Sequence, residues 1–351
     1  MSNPQAFYQS IQQLSAQRAD PTYGFFGPQT LVWQVNRERI NYLGGLRAIL
    51  MQLAHPAVAQ GVADHSNFQQ DPLGRFVRTM SVVQDILFGP TDIAIKAATR
   101  VYAKHARVKG ILSGSLVKSK DAFDLGFEQS PAPFDYVEQR TGEQMGNVPL
   151  RSGCYVPSSG GIESPTPFDY VGYESTGEAG HFSLRSGCSQ PSAGKGEQQE
   201  YSALDPELLL WVYATLIDSL MFIHDEILPP LGEEKWARLY DEGRPFAYLF
   251  GVPDAVLPPT LDAFRSYVRG MVNTIKVTDT AREMARAVIR SPHPVFGVSN
   301  TVLAAGTVPD PLREAFGLPW NAPVRAGYAL GMGFLRVTVP LLPGKLRRHQ
   351  V

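Results

Sequence analysis

The sequence predicts an all-α fold, and three observations carry that reading. Apolar residues recur at i, i+3, i+4 and i+7 through most of the chain. Helix start signals, an Asp or Thr with Pro or an acidic residue just behind it, precede those runs, and Gly or Pro-Pro steps follow them. No alternation of β-branched strands with helices accompanies them. One stretch breaks the pattern: residues 126–199 are rich in Gly, Pro, Ser, Glu and Gln and hold neither a 3.6 nor a 2.0 period. The expected organisation is one discontinuous helical domain, 1–125 together with 200–351, interrupted by an irregular and disordered insertion at 126–199.

The first twenty residues, "MSNPQAFYQSIQQLSAQRAD", are polar and lack the apolar core of a secretory signal. The first strongly patterned helix opens at "DPLGRFVRTMSVVQDILFG". Asp71 caps it, Pro72 starts it and Gly89 stops it. Arg75, Arg78, Thr79 and Val82 share one face, and Phe76, Met80, Val83 and Leu87 form the apolar one. The next helix, 91–108, places Ala94, Ala97, Ala98, Val101, His105 and Val108 on its apolar stripe, so His105 is expected to point inward. Past the insertion, "DPELLLWVYATLIDSLMFI" begins with Asp205 as cap and Pro206 at the first helical position. "LDAFRSYVRGMVNTI" puts Leu261, Phe264, Val268, Met271 and Ile275 on one side. "TDTAREMARAVIR" does the same with Ala281, Met284, Ala285, Val288 and Ile289 behind a Thr278 cap. Arg336 and Pro340 interrupt "AGYALGMGFLRVTVPLLPG" (326–344), the segment nearest to a membrane span. It is expected to be a buried C-terminal helix, with peripheral membrane contact as the alternative.

Inside the insertion, "SPAPFDYVEQRTGEQMGNVPLRSGC" (130–154) returns at 164–188 as "SPTPFDYVGYESTGEAGHFSLRSGC". Two copies are too few for a solenoid. Each "PFDYV" could instead dock on a partner, or the two cysteines, Cys154 and Cys188, could pair. Two cysteines in 351 residues do not make a disulfide framework, which suits a reducing, cytoplasmic setting. The formal net charge of −1 gives no electrostatic footprint for nucleic acid.

The sequence excludes most site chemistries in turn. It contains no H-E-x-x-H and no C-x-x-C, and a single Glu three residues before a histidine, Glu178 ahead of His181 in the irregular 126–199 stretch, where a di-iron bundle needs two on facing helices; zincin, di-iron and zinc-ribbon patterns are thereby removed. "GYALGMGFLR" follows no predicted strand, and no G-x-S-x-G elbow exists. One chemistry survives: a haem iron held by a single neutral imidazole on an apolar helix face, with small neighbours such as Ala97, Ala98 and Val101. The competing reading of His105 is a hydrogen-bonded core residue, and the residues alone leave both open.

Several blocks carry a resemblance. "LMQLAHPAVAQGVADHSNFQQDPLGRFVRT" (50–79), "KHARVKG" (104–110), "YSALDPELLLWVYATL" (201–216) and "FGVPDAVLPPTLDAFRSYVRGM" (250–271) occur in order. So do "VTDTAREMARAVIRSP" and "PDPLREAFGLPWN". Together they resemble the MpaB-type oxygenases, which include the bacterial latex-clearing proteins. The resemblance implies a helical bundle with globin-like packing, b-type haem, and O2-dependent oxygenation or C=C cleavage of an apolar, isoprenoid- or lipid-like substrate. It implies His105 as proximal iron ligand, with His55 as the second choice and otherwise a residue close to the site. Arg75 and Thr79, the Arg-x-x-x-Thr of the haem-side helix, are implied to bond the cofactor or order its distal space, with Arg78 beside them. The chain departs from the pattern twice. Arg78 stands where latex-clearing proteins carry a lysine able to reach iron; a guanidinium has no lone pair to give, so no protein ligand is expected there. Tyr213 stands where relatives read "WVHATL", which removes imidazole basicity. Electrons from a redox partner, a non-catalytic haem sensor or carrier, and a haem-free scaffold remain alternatives. Without an export signal, a cytoplasmic enzyme that touches membranes is expected.

Overall fold

The computed structural model describes residues 4–66, 72–112, 154–157, 182–185, 199–290 and 294–349. Among the described residues it is an all-α bundle with one large hydrophobic core, two smaller buried clusters beside it and two short antiparallel strand pairs. The Asp71 cap and most of the 126–199 insertion lie outside the described residues, apart from two paired strands within it, β2 (Cys154–Pro157) and β3 (Phe182–Arg185).

The centre of the bundle is the helix Pro206–Ile227, called α7 here. Asp205 accepts the Glu207 N–H at 2.9 Å, as a cap should, and Pro206 follows it. Its apolar residues do not keep to one stripe. Leu209, Leu210, Trp211, Tyr213, Ala214 and Ile223 are all buried, so the helix is covered on every side. By length and composition α7 could cross a membrane, with a mean hydropathy of 1.5, yet 67% of its most apolar window is buried inside the fold. Here it is a core helix.

The helices before it are α1 (Pro4–Arg18), α2 (Leu31–Asn36), α3 (Gly44–Ala54), α4 (Pro56–His65), α5 (Pro72–Phe88) and α6 (Thr91–His105). Helix α3 lies along α7. The close approach needs a glycine, because a Cβ on Gly44 would stand 3.0 Å from the Ser219 carbonyl oxygen. Polar ties run along the same seam. Trp211 Nε1 donates to the Met51 carbonyl at 3.1 Å, and Gln52 to Thr215 at 3.1 Å. Buried Arg47 reaches Asp218 at 2.6 Å, Ser219 Oγ at 2.9 Å and the Thr307 carbonyl at 2.8 Å. Helix α6 packs against α1 and α5, where Phe7 stacks on Tyr102 with ring centroids 3.8 Å apart.

The remaining helices are α8 (Glu233–Glu242), α9 (Arg244–Leu249), α10 (Leu261–Thr274), α11 (Asp279–Ile289), α12 (Pro294–Thr307), α13 (Asp310–Phe316), α14 (Ala322–Thr338) and α15 (Gly344–Arg347). The predicted stripes of α10 and α11 face the core: Leu261, Phe264, Val268, Ala281, Met284 and Ala285 are buried. Thr278 caps α11 by accepting the Ala281 N–H at 3.1 Å. Helix α11 closes over α3 and α4, and α12 joins α3 to α14.

One sequence expectation is corrected. The 326–344 segment is helical but not buried: Met332 is the buried residue of α14, while Leu330, Phe334 and Val337 face out. Two apolar stripes run along this helix, and among the described residues one of them is covered by a neighbour.

Candidate functional site

Helix α6 ends at His105, one turn earlier than the sequence pattern suggested, and the chain turns back through Val108 into β1 (Lys109–Ile111). Strand β1 pairs antiparallel with β4 (Glu200–Ser202), with Gly110 opposite Tyr201. The ladder therefore clamps the two ends of the 113–198 segment beside His105. Glycine is required at 110, since a Cβ there would stand 2.6 Å from the Tyr201 hydroxyl. That hydroxyl donates to Asp64 at 2.7 Å. Burial, then the Asp64 charge, raise the Tyr201 pKa far above its usual range, so it remains an O–H donor.

His105 lines a hollow of about 190 Å³. The walls come from α3, α4, α7 and the β1–β4 ladder. Leu53, Val58, Val62, Leu209, Val212 and Phe250 supply apolar surface. Ala57, Gly61 and Ala203 are the small residues beside the imidazole. This corrects the expectation that Ala97 and Ala98 would make that room: both are fully buried and neither lines the hollow. His105 Nδ1 is shielded from solvent. Gln52, His65, Ser66 and Tyr201 add polar groups to the same hollow.

His65 closes α4 and sits 3.0 Å by Nε2 from the Lys109 carbonyl oxygen. A carbonyl only accepts, so Nε2 carries a proton in this contact. His55 does something different. It caps α4, its Nδ1 accepting the Ala57 N–H at 3.2 Å, and burial pulls its pKa down to about 4. His55 is thus a neutral capping ring, and it is not among the residues lining the hollow.

The α5 residues stand elsewhere. Arg78 and Thr79 are exposed, and the Arg75 side chain lies outside the described part of the structure. The opposite face of α5 does meet a cavity. Met80, Val83, Gln84 and Leu87 line a second hollow of about 100 Å³ with Tyr213 and Leu220. Helix α7 runs between the two hollows: Leu208, Leu209 and Val212 face His105, whereas Tyr213, Leu216 and Leu220 face α5. Tyr213 is therefore on the wrong side of α7 to meet His105. Burial raises its pKa beyond the ordinary phenol range.

The residues fit one side of a flat apolar group. Two imidazoles, His105 and His65, line this hydrocarbon-walled hollow, and one of them would suffice to hold a metal that brings its own macrocycle. Among the described residues no three His, Cys, Asp or Glu side chains converge to hold a bare metal ion. The enclosed volume is modest, since a cavity of about 150 Å³ accepts benzene. A porphyrin is several times the size of benzene, so it would need more room than this hollow encloses. His65 and Tyr201 had no assigned role in the sequence reading. Their signal was weak, an Asp64-His65 pair at a helix end and a tyrosine just ahead of the Asp205 cap.

Comparison with known proteins bears on the reading directly. A family model described as ER-bound oxygenase mpaB/B'/Rubber oxygenase, catalytic domain, matches residues 32–124 and 180–337. Uncharacterized protein Mb2261 of Mycobacterium bovis and uncharacterized protein Rv2237 of Mycobacterium tuberculosis are similar in part. Each is 26% identical over 149 residues, covering 41% of this chain and 58% of the relative. The chain thus spans a little over half the length of these relatives. No solved structure matches. With His105, the α5 helix and α7 all inside the matched ranges, the chain belongs to the MpaB and rubber oxygenase catalytic-domain family and is an oxygenase-type domain.

Proposed function

We propose that this chain is an O2-dependent oxygenase of an apolar organic substrate, isoprenoid- or lipid-like, and that haem b held by His105 is its cofactor. The observation that supports this best is the His105 imidazole at the edge of a hydrocarbon-lined hollow, inside an oxygenase-family domain. The haem, when bound, supplies activation of dioxygen, which protein side chains do not do unaided.

The chain's own residues supply the rest. The Leu53, Val62, Leu209 and Phe250 walls exclude water and favour a substrate without charge. His65 is held through the Lys109 carbonyl and lines the same hollow. It is placed to take or orient a proton from a bound group. Arg75 and Arg78 serve as cationic partners for the carboxylates of the cofactor or for negative charge developing during oxygenation, and Thr79 as an adaptable hydroxyl. Arg78 cannot act as an iron ligand. His55 keeps α4 in register and stays neutral, acting at a distance as a positioning residue. A redox partner would supply electrons if the reaction incorporates only one oxygen atom.

The test is optical and catalytic together. Haem-reconstituted protein should show a Soret band that His105→Ala abolishes or shifts, while His55→Ala leaves the band in place. An unchanged spectrum in His105→Ala removes the ligand assignment. Oxygen uptake with squalene or polyisoprene, yielding carbonyl products, is the expected activity. Haem binding with no turnover across a lipid panel would instead favour a sensor or carrier.

A further inference from the structure

Helix α14 carries two apolar stripes of identical spacing. Tyr328, Met332, Leu335 and Val339 follow i, i+4, i+7, i+11 and pack on Ile223, Ile227 and Leu228 at the C-terminal end of α7. Leu330, Phe334, Val337 and Leu341 repeat the same spacing two residues later and face outward. Together with Leu346 of α15, these five are each between 62% and 79% exposed. A helix apolar on both faces is ordinarily covered on both. Single exposed leucines need no explanation, but a continuous strip of this length marks a contact surface.

The strip is held rigidly, so its exposure is not fraying. Arg336 pins α14 to α7 through Glu226, at 2.5 Å to the carboxylate and 2.6 Å to the carbonyl. Buried Glu38 receives both Arg347 at 2.8 Å and Arg348 at 2.7 Å, and the His349 N–H donates to the Arg37 carbonyl. These clamps fix the strip at its middle, through Arg336, and at its C-terminal end, through Arg347 and Arg348.

Charge indicates what covers it. From residue 315 to 351 the chain has no Asp or Glu and five Arg or Lys. Three of the five are engaged by Glu38 and Glu226. The other two, Arg325 and Lys345, are exposed and bracket the strip at its two ends. A second copy packed symmetrically on this face would set cation against cation. An anionic lipid surface accepts both features, with hydrocarbon below the headgroups for Phe334 and the leucines and phosphate for the cations.

We infer that the outer face of α14 and α15 is a monotopic membrane-docking surface that lays Leu330, Phe334, Val337, Leu341 and Leu346 into an anionic bilayer. This goes beyond the oxygenase reading and does not depend on it. The experiment is flotation of the full chain with phosphatidylcholine vesicles, with and without phosphatidylglycerol. The chain should float with the anionic vesicles, and added salt should release it. Phe334→Glu should cut the bound fraction at least about tenfold, and Lys345→Glu should reduce it less, both with unchanged circular dichroism. The inference is overturned if the chain stays unbound with every vesicle, if binding ignores phosphatidylglycerol, or if Phe334→Glu floats like the parent. It is equally overturned if light scattering shows a dimer that Phe334→Glu splits while vesicles bind neither form.

Discussion

At the residue scale, the two histidines of the α4 segment differ in what holds them. His55 has its acceptor nitrogen committed to the Ala57 N–H, and burial holds its pKa near 4. An unfolded chain would protonate the same ring near 6.5. Between those values the unfolded state binds more protons, so stability rises with pH across that window and is lost as pH falls through it. The loss is on the order of 3 kcal/mol by pH 4. His55→Asn keeps a capping acceptor but has nothing to titrate. Urea midpoints measured from pH 4 to 7 should slope clearly less for the variant than for the parent, the remaining slope coming from His224 and His349, whose pKa values burial also lowers. Equal slopes would remove His55 as the source.

Residue-level rules are also where the sequence was most legible. Asp205, Pro206 and Thr278 sit at helix starts as expected, because a cap is a local interaction that needs no tertiary partner. His105 as an inward-facing ring was legible from its stripe. The hollow it faces was not, because Ala57, Gly61 and Ala203 arrive from α4 and from beside β4 rather than from His105's own helix. Periodicity reports which face of a helix is apolar, never which neighbour meets it.

At the element scale, α14 shows the limit of that kind of reading most clearly. Its two stripes are equally apolar, and no pattern in the sequence says that α7 covers one and leaves the other bare. The seam between α3 and α7 is the opposite case, an element contact made specific by buried polar groups. Arg47 is almost fully buried and Asp218 largely so, at 2.6 Å. Asp218→Ala would leave the guanidinium buried without its counter-charge, beside Ser219, the Thr307 carbonyl and the Phe222 ring. A destabilisation of about 3 kcal/mol is expected in urea unfolding. Replacing both Arg47 and Asp218 by Met and Leu should cost much less than that, which a double-mutant cycle would read.

At the scale of the whole molecule, the chain is one helical body entered and left at a single place by residues 113–198. Strands β1 and β4 hold the two ends together, with the Leu112 N–H donating to the Gln199 carbonyl at 2.8 Å. A short turn is therefore enough to close the chain if that segment is removed. Replacing 113–198 by a four- or five-residue Gly-Asn turn, lengths of about that order being usual for hairpins, should leave helical circular dichroism and the urea midpoint of the remainder unchanged. A collapse of helicity in the shortened chain would show instead that the segment is needed to fold the domain.

The position of α7 between the His105 hollow and the Tyr213 hollow has a mechanical consequence. One rod walls both hollows, so a substitution that shifts α7 changes the room on the imidazole side and on the phenol side together.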